Sequence, residues 1–558
     1  MADTLDLPSD NPIFNISYYL RDVAALYPYR RAVVYPAARD KNGRVAYTHL
    51  TFQQLDQESD RTAYGLTSTG ITRGTRTILM VKPSIDFFIL TFALFKVGAI
   101  PVMVDPGMGV GRMLQCLKES DPEAFIGIPP AHVLRTCCPK YFSAVKTWIT
   151  VGRRWFWGGH SLESIRQLPY KPFPTAETRK DDTAAILFTT GSTGPAKGAI
   201  YSHETFDAQI RYIKSYFAFS ADEIDLPTFP LFALFDPALG ITAVIPDMDP
   251  TKPALVNPEK IVEAILNQGV TNMFASPALL NRVGRYGKEN RLKLPSLKRV
   301  VSAGAPVSPA NIEQFSLLLN DNAQIYTPYG ATEAVPIIAI GSREILSETV
   351  ELSEKGYGIC VGRPITGLEI RIIKISDDPI DEWSSDLVVE SGEIGEITVK
   401  GELVSKQYYN RPEADAAAKI YEKNRVWHRM GDLGWQDNKG RIWFCGRKSH
   451  RVVTQNGTLF TIPCEAIFNS HPNVFRSALV GVGNPLQQKP VVCIELEHGK
   501  KRMPKKKLKK ELIQLGKSSM LTETIDTILF HKAFPVDIRH NSKIFREKLA
   551  IWAEKRSK

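Results

Sequence analysis

Ala184–Gly198 reads AAILFTTGSTGPAKG, an apolar strand that runs directly into a loop of glycines, hydroxyl residues and one lysine. Glycine lets backbone N–H groups approach a phosphate and point at it. Thr189, Thr190, Ser192 and Thr193 add donors, Gly191 and Gly194 open the backbone, and Lys197 adds a point charge. The loop can hold a polyphosphate. It is not a Walker A loop, because the G-x-x-x-x-G-K-[ST] spacing is absent and Gly198 follows Lys197. Alone, the stretch reads equally well as a flexible turn, so its meaning depends on what surrounds it.

Upstream, from Asn15 to about Ile186, helix-like stretches alternate with short β-branched runs such as Arg76–Val81 and Ala99–Val104, the mark of βαβ units around a mostly parallel sheet. Downstream the punctuation continues through Ile224–Ile245, Lys260–Ala275, Lys298–Ser302 and Gln324–Thr327. After about Gly362 the runs GLEIRIIKI and GEIGEITVKGELV are strand-rich with glycine turns, which predicts a small antiparallel or barrel-like unit. Near Gly446 the text turns polar before a C-terminal αβ segment. The expected class is therefore α/β, with a large N-terminal domain over 1–446 and a small α+β domain over 447–558.

With 558 residues the chain is too long for one ordinary core and too long for a small binding module. A hydrophobic fraction of 43% with 23% charged residues places it among globular enzymes and excludes disordered or collagen-like chains. The net charge of +11 resembles a nucleic-acid footprint, but Lys500–Lys510 (KKRMPKKKLKK) alone carries eight basic residues. Without that run 62 basic residues face 59 acidic ones, so a nucleic-acid partner is not expected, and the run reads as a solvated linker leading into a helix, with binding to anionic lipid or nucleic acid as the weaker alternative. Seven cysteines without a CxxC or a Cys/His cluster point to free thiols in a reducing, cytoplasmic setting. The N-terminus lacks the charged and apolar regions of a secretory signal. Phe87–Val104 is greasy, yet Lys96, Gly98 and Pro101 interrupt it, so it reads as a buried helix followed by a strand rather than a transmembrane segment.

Further motifs follow the glycine loop in order. After Lys298–Ser302 comes Ala303–Gly304–Ala305–Pro306, a small-residue turn that can lie flat beneath a heterocycle. Gln324–Glu333 reads QIYTPYGATE: Tyr329 can stack on a base, Thr332 can donate to a phosphate and Glu333 can hold Mg²⁺ through oxygen. Arg429–Leu433 (RMGDL) and Gly446–Arg447 supply Asp432, able to accept both ribose hydroxyls, and an arginine beside it. Asn541–Arg546 (NSKIFR) puts Lys543 in a turn before the last helix. Taken singly, Tyr329 suits a core, Thr332 a turn, Glu333 a solvated helix start and Lys543 a surface. Their joint order is what argues for a site.

From about residue 15 to the end, these blocks resemble the adenylate-forming superfamily of acyl-CoA synthetases, adenylation domains and luciferases. The resemblance implies ATP and Mg²⁺ as cofactors, with the loop Thr189–Gly194 and Lys197 on the β,γ-phosphates. It implies adenine between Gly304–Ala305–Pro306 and Tyr329–Gly330, Thr332 at the α-phosphate and Glu333 on Mg²⁺. It also implies ribose on Asp432 and Arg447, and Lys543 bridging acyl oxygen and phosphate on a lid that swings near Lys448–Ser449. Phe232, Ala233, Phe235 and Ala331 are the implied acid pocket, within the apolar segment Phe229–Ile245.

Departures from the common pattern narrow the reaction. Ala233 in Pro230–Leu234 (PLFAL) stands where acyl-CoA ligases usually carry histidine, Ser449 where aspartate is common and Val453 where those ligases usually have lysine. LFALFDPALGITAVIPDMDPTKPA, DPGMGVGRMLQCL, AFIGIPPAHVLR, GYGICVGRPI and FPVDIRHNSKIFREKLA are similar instead to the olefin β-lactone synthetases of bacterial long-chain olefin biosynthesis. That resemblance implies a long-chain 2-alkyl-3-hydroxy fatty acid as substrate, an acyl-AMP intermediate and a β-lactone product. It also implies a decarboxylase of α/β-hydrolase type and a reductase as pathway partners. The rival reading is a long-chain acyl-CoA or acyl-carrier-protein ligase. His203, after the strand GAIYS, and His450 are candidate acceptors for the hydroxyl proton, with a structural helix-start role the stronger reading of His203.

Overall fold

The structure, a computed structural model, describes residues 13–189, 196–497, 503–536 and 544–557. It divides into two compact units: Met1–Asp247 with Ala264–Asn272 and Glu402–Asp415, and Met248–Glu263 with Met273–Gly401 and Ala416–Lys558.

In the first unit a seven-stranded sheet runs His160–Ser161, Thr147–Thr150, Ala124–Gly127, Arg76–Met80, Ile100–Val104, Thr183–Thr189 and Lys197–Ser202. All pairings are parallel except the last, a hairpin between Thr183–Thr189 and Lys197–Ser202. The strands are short apolar runs because both faces of a parallel sheet are covered. The greasy stretch resolves as expected, into the helix Ile85–Val97 and the strand Ile100–Val104. Ser84 caps that helix at the Phe87 N–H, and Gly98 ends it at φ +74°, where a Cβ would lie 2.9 Å from Ala176 Cβ. Lys96 is buried inside the helix, with Nζ 2.6 Å from Asp56 and 2.7 Å from Asp60, so the interruption is a paired charge within a core. A second group pairs Arg31–Arg39 in parallel with Thr242–Val244, which pairs in turn with Ile224–Pro227, and antiparallel with Val45–Thr51.

In the second unit the parallel strands Arg299–Ser302 and Gln324–Tyr326 lie side by side. A separate antiparallel sheet orders Tyr329–Ala331, Ala334–Ala339, Ile359–Pro364, Ile442–Arg447, Arg425–Gln436, Gly395–Lys400 and Glu369–Ile373, with Lys419–Glu422 added on Arg425–Gln436. The antiparallel unit thus begins at Tyr329, ahead of the change in text at Gly362. Three-residue strands inside a Gly/Thr loop carry no alternation to read. The C-terminal αβ segment is a three-stranded sheet of Val474–Val482, Lys489–Leu496 and Thr527–His531 with helices Thr461–Asn469, Lys505–Lys517 and Arg546–Ser557. Among the described residues no helix is long and apolar enough to cross a membrane.

Candidate active site

The turns that carry the nucleotide motifs leave neighbouring strands at the same end. Val301 pairs with Tyr326 in parallel register, so Ala303–Pro306 and Thr327–Gly330 emerge together at carboxyl-terminal strand tips. That is where open α/β sheets bind ligands. Gly304 and Pro306 are exposed and Ala305 half-buried, and Gly304 has φ +95°. Behind the turn Ser302 is buried, and its hydroxyl has no hydrogen-bond partner among the described residues. Gly330 cannot carry a side chain without a shift, because a Cβ there would sit 2.5 Å from the Ala334 carbonyl oxygen.

Three of the expected nucleotide residues meet. The Tyr329 hydroxyl donates to Asp432 Oδ2 at 2.6 Å, and Arg447 Nη1 pairs with Asp432 Oδ1 at 2.9 Å. Asp432 and Arg447 face each other across the antiparallel ladder, which sets their approach before any ligand arrives. Burial, then the Asp432 carboxylate, push the Tyr329 phenol well above its ordinary range, so it stays a donor. The carboxylate in turn holds Arg447 charged. With about four lone-pair sites on a carboxylate, Asp432 keeps acceptor capacity beyond these two partners. Thr332, Glu333 and Ala331 lie half-buried just beyond Tyr329.

In the first unit the glycine loop is closed by the ladder pair Thr189–Lys197. Lys197 Nζ lies 4.9 Å from the Tyr408 ring centre. The segment carrying that ring runs along the hairpin, with Tyr409 N–H donating to the Gly198 carbonyl at 2.8 Å. Thr190, Gly191, Ser192, Thr193 and Gly194 of the expected phosphate loop, the Thr189 side chain, and Lys543 lie outside the described residues. Of the expected acid pocket, Phe232 and Phe235 are half-buried and Ala233 is buried, on the short helices Pro230–Ala233 and Phe235–Leu239. They belong to a run of rings: Phe229 to Phe232 at 5.6 Å, Phe232 to Phe235 at 6.4 Å, Phe235 to Phe206 at 6.2 Å and Phe206 to Tyr201 at 5.0 Å.

Both candidate histidines are neutral. His203 is buried and opens the helix His203–Phe217, and its Nδ1 accepts the Ile16 N–H at 3.1 Å. Burial pushes it down to about 4, and the bond to Ile16 holds the ring against the segment ahead of the helix Tyr18–Leu26, while Ser202 caps His203's own helix. Burial, with Arg546 and Arg447 nearby, pushes His450 down to about 3, and its Nε2 has no hydrogen-bond partner. Burial also pushes Cys116 and Cys360 up to about 11 and Cys445, Cys464 and Cys493 up to about 12, which removes them as nucleophiles.

Two groups escaped the motif reading. Asp236, within LFALFDPALG, is 4% exposed, and its Oδ2 has no hydrogen-bond partner. Burial, then the Asp225 carboxylate, hold it well above the usual carboxylate range. An acidic residue inside an apolar stretch was the available signal. The other is the buried pair Arg429–Glu396, at 2.6 Å, which Lys448 joins at 3.1 Å. RMGDL contains Arg429, but nothing in the text names its partner.

Among the described residues no three His, Cys, Asp or Glu side chains could hold a metal by themselves. A lone Glu333 fits a magnesium ion shared with substrate phosphates, which is how this ion is usually bound. The Ser302 hydroxyl behind the exposed Ala303–Pro306 turn and the Asp432–Arg447 pair likewise fit a nucleotide.

Residues 20–409 match the family described as AMP-binding enzyme. The chain is 48% identical over 548 residues to the olefin beta-lactone synthetase of Stenotrophomonas maltophilia, covering 97% of this chain and 98% of that one. It is also 48% identical over 546 residues to the olefin beta-lactone synthetase of Xanthomonas campestris pv. campestris, covering 97% of each. Among solved structures, the anthranilate CoA ligase AuaEII in complex with anthranoyl-AMP superposes with a TM-score of 0.78 at 18% identity, covering 99% of both chains. That likeness shows the fold, and the family match together with the full-length relatives places the chain in the AMP-binding enzyme family.

Proposed function

We propose that this chain is an ATP-dependent, AMP-forming ligase that adenylates a long-chain 2-alkyl-3-hydroxy fatty acid and closes it to a β-lactone. The observation that carries the reading is the 48% identity, sustained over 97% of the chain, to relatives bearing that activity in their names.

In the first step the substrate carboxylate oxygen attacks the α-phosphorus of ATP, the bond to the β-phosphate oxygen breaks, and pyrophosphate leaves. Two anions must meet, so the work is positioning and charge neutralisation. Thr189–Gly194 and Lys197 hold the β,γ-phosphates and Thr332 the α-phosphate. Tyr329–Gly330 and Gly304–Pro306 enclose adenine, Asp432 and Arg447 fix the ribose, and Lys543 neutralises the reacting oxygens. Glu333 would hold a magnesium ion, which would supply charge neutralisation for the departing pyrophosphate. Residues 447–558 form the lid that delivers Lys543.

In the second step the C3 hydroxyl oxygen attacks the acyl carbon and the acyl–phosphate bond breaks, giving lactone, AMP and one proton. An intramolecular hydroxyl held beside an acyl phosphate gains from proximity what the four-membered ring costs, provided water and thiols are kept out. The Phe229–Phe232–Phe235 run walls in alkyl chains, and Ala233 leaves room beside them. A decarboxylase of α/β-hydrolase type and a reductase are the proposed pathway partners. Steady AMP release from a 3-hydroxy acid with Mg-ATP and no thiol acceptor is the expected result. Release that waits for CoA identifies an acyl-CoA ligase instead.

A further inference from the structure

The loop between the edge strand His160–Ser161 and its neighbour Thr147–Thr150 reads VGRRWFWGG and plays no part in the chemistry above. Its base is firmly built. Trp157 is 9% exposed and lies flat on His132, with ring centres 5.2 Å apart and planes at 2°. Its indole N–H donates to Thr150 Oγ1 at 3.0 Å, and its carbonyl accepts from Arg135 Nη2 at 2.9 Å. Arg154 Nη1 donates to the Gly159 carbonyl and closes the loop. From this base the next two rings are pushed outward: Trp155 is 52% exposed and Phe156 82%. Two adjacent large aromatics held in water by a rigid support mark an interaction surface.

Charge identifies the occupant. Arg153 and Arg154 flank the rings and are exposed. From Ala124 to Leu162 the sequence holds Arg135, Lys140, Lys146, Arg153 and Arg154 and no aspartate or glutamate. Exposed tryptophan and phenylalanine beside arginines, with no acid near them in sequence, suit the headgroup region of an anionic bilayer. We propose that the Arg153–Phe156 tip docks this protein reversibly on an anionic lipid surface, the rings entering the headgroup layer and the arginines pairing with lipid phosphates. The docking chemistry is independent of which acid the enzyme activates. Its use follows from the proposed function, since long-chain acids partition into membranes.

The test is flotation of the full chain with vesicles of phosphatidylcholine alone or mixed with phosphatidylglycerol. Binding to the mixed vesicles, weakened by added salt, is expected. The double variant Trp155→Ser/Phe156→Ser and the single variant Arg153→Glu, which leaves the Arg154–Gly159 closure intact, are each expected to lose about tenfold or more in partition. Their turnover of a soluble short-chain acid should stay unchanged, which reports that they fold. A Lys505→Glu/Lys506→Glu/Lys509→Glu variant should bind like the parent, separating the tip from the C-terminal lysine run. Indifference to phosphatidylglycerol, or tip variants that float like the parent, overturns the proposal. A drop in oligomeric state on replacing the rings also overturns it and assigns the tip to a second copy of the chain.

Discussion

Tyr329 and Asp432, 103 residues apart in the chain, meet at 2.6 Å, at the end of the site proposed to hold ribose. A hydrogen bond to a charged group is worth about 1.5–3 kcal/mol, so Tyr329→Phe is expected to raise the KM for ATP about tenfold with a smaller change in kcat. Steady-state kinetics at saturating acid checks it. Asp236 makes the opposite kind of prediction. Its folded pKa lies above the unfolded value near ~3.9, so the folded state binds more protons above that pH, and stability falls as pH rises toward the folded value. Asp236→Asn removes this penalty. The variant should melt a few degrees above the parent at neutral pH, and the gain should vanish below pH ~4. Thermal scans at the two pH values decide. The place of His203 at a helix start was legible in the sequence. The Tyr329–Asp432 contact was not, because it joins two strands that are not ladder partners and lie 103 residues apart.

At the scale of elements, the antiparallel sheet places Asp432 and Arg447 on paired strands and also buries the Arg429–Glu396 pair. Lys448 is tied to the same carboxylate and donates to the Ser376 carbonyl at 2.8 Å, which anchors the chain just ahead of the proposed hinge at Lys448–Ser449. Glu396→Ala leaves a buried arginine uncompensated and is expected to cost about 3–5 kcal/mol in chemical denaturation, far more than a surface pair would. Strand and helix alternation announced the parallel sheet, and the interruptions in Phe87–Val104 announced a buried helix followed by a strand. The pairing of Lys96 with Asp56 and Asp60 was hidden because they sit 40 and 36 residues earlier on another helix.

For the whole molecule, nearly full-length similarity to two relatives of the same name shows how far family membership was written in the motifs. Composition drew attention to the Lys500–Lys510 run, whereas the aromatic tip at Arg153–Phe156 declares itself only through exposure, which composition does not report. Lys543 is the residue proposed to neutralise the reacting oxygens of the first step. Lys543→Ala should lower adenylation by orders of magnitude while ATP binding and melting stay close to the parent, since its partner charge develops in the transition state. The most direct test of the central claim is NMR of the products formed from a synthetic 2-alkyl-3-hydroxy fatty acid with Mg-ATP and no CoA. The account predicts a β-lactone in step with AMP and pyrophosphate. Recovery of unchanged acid with no pyrophosphate released contradicts it.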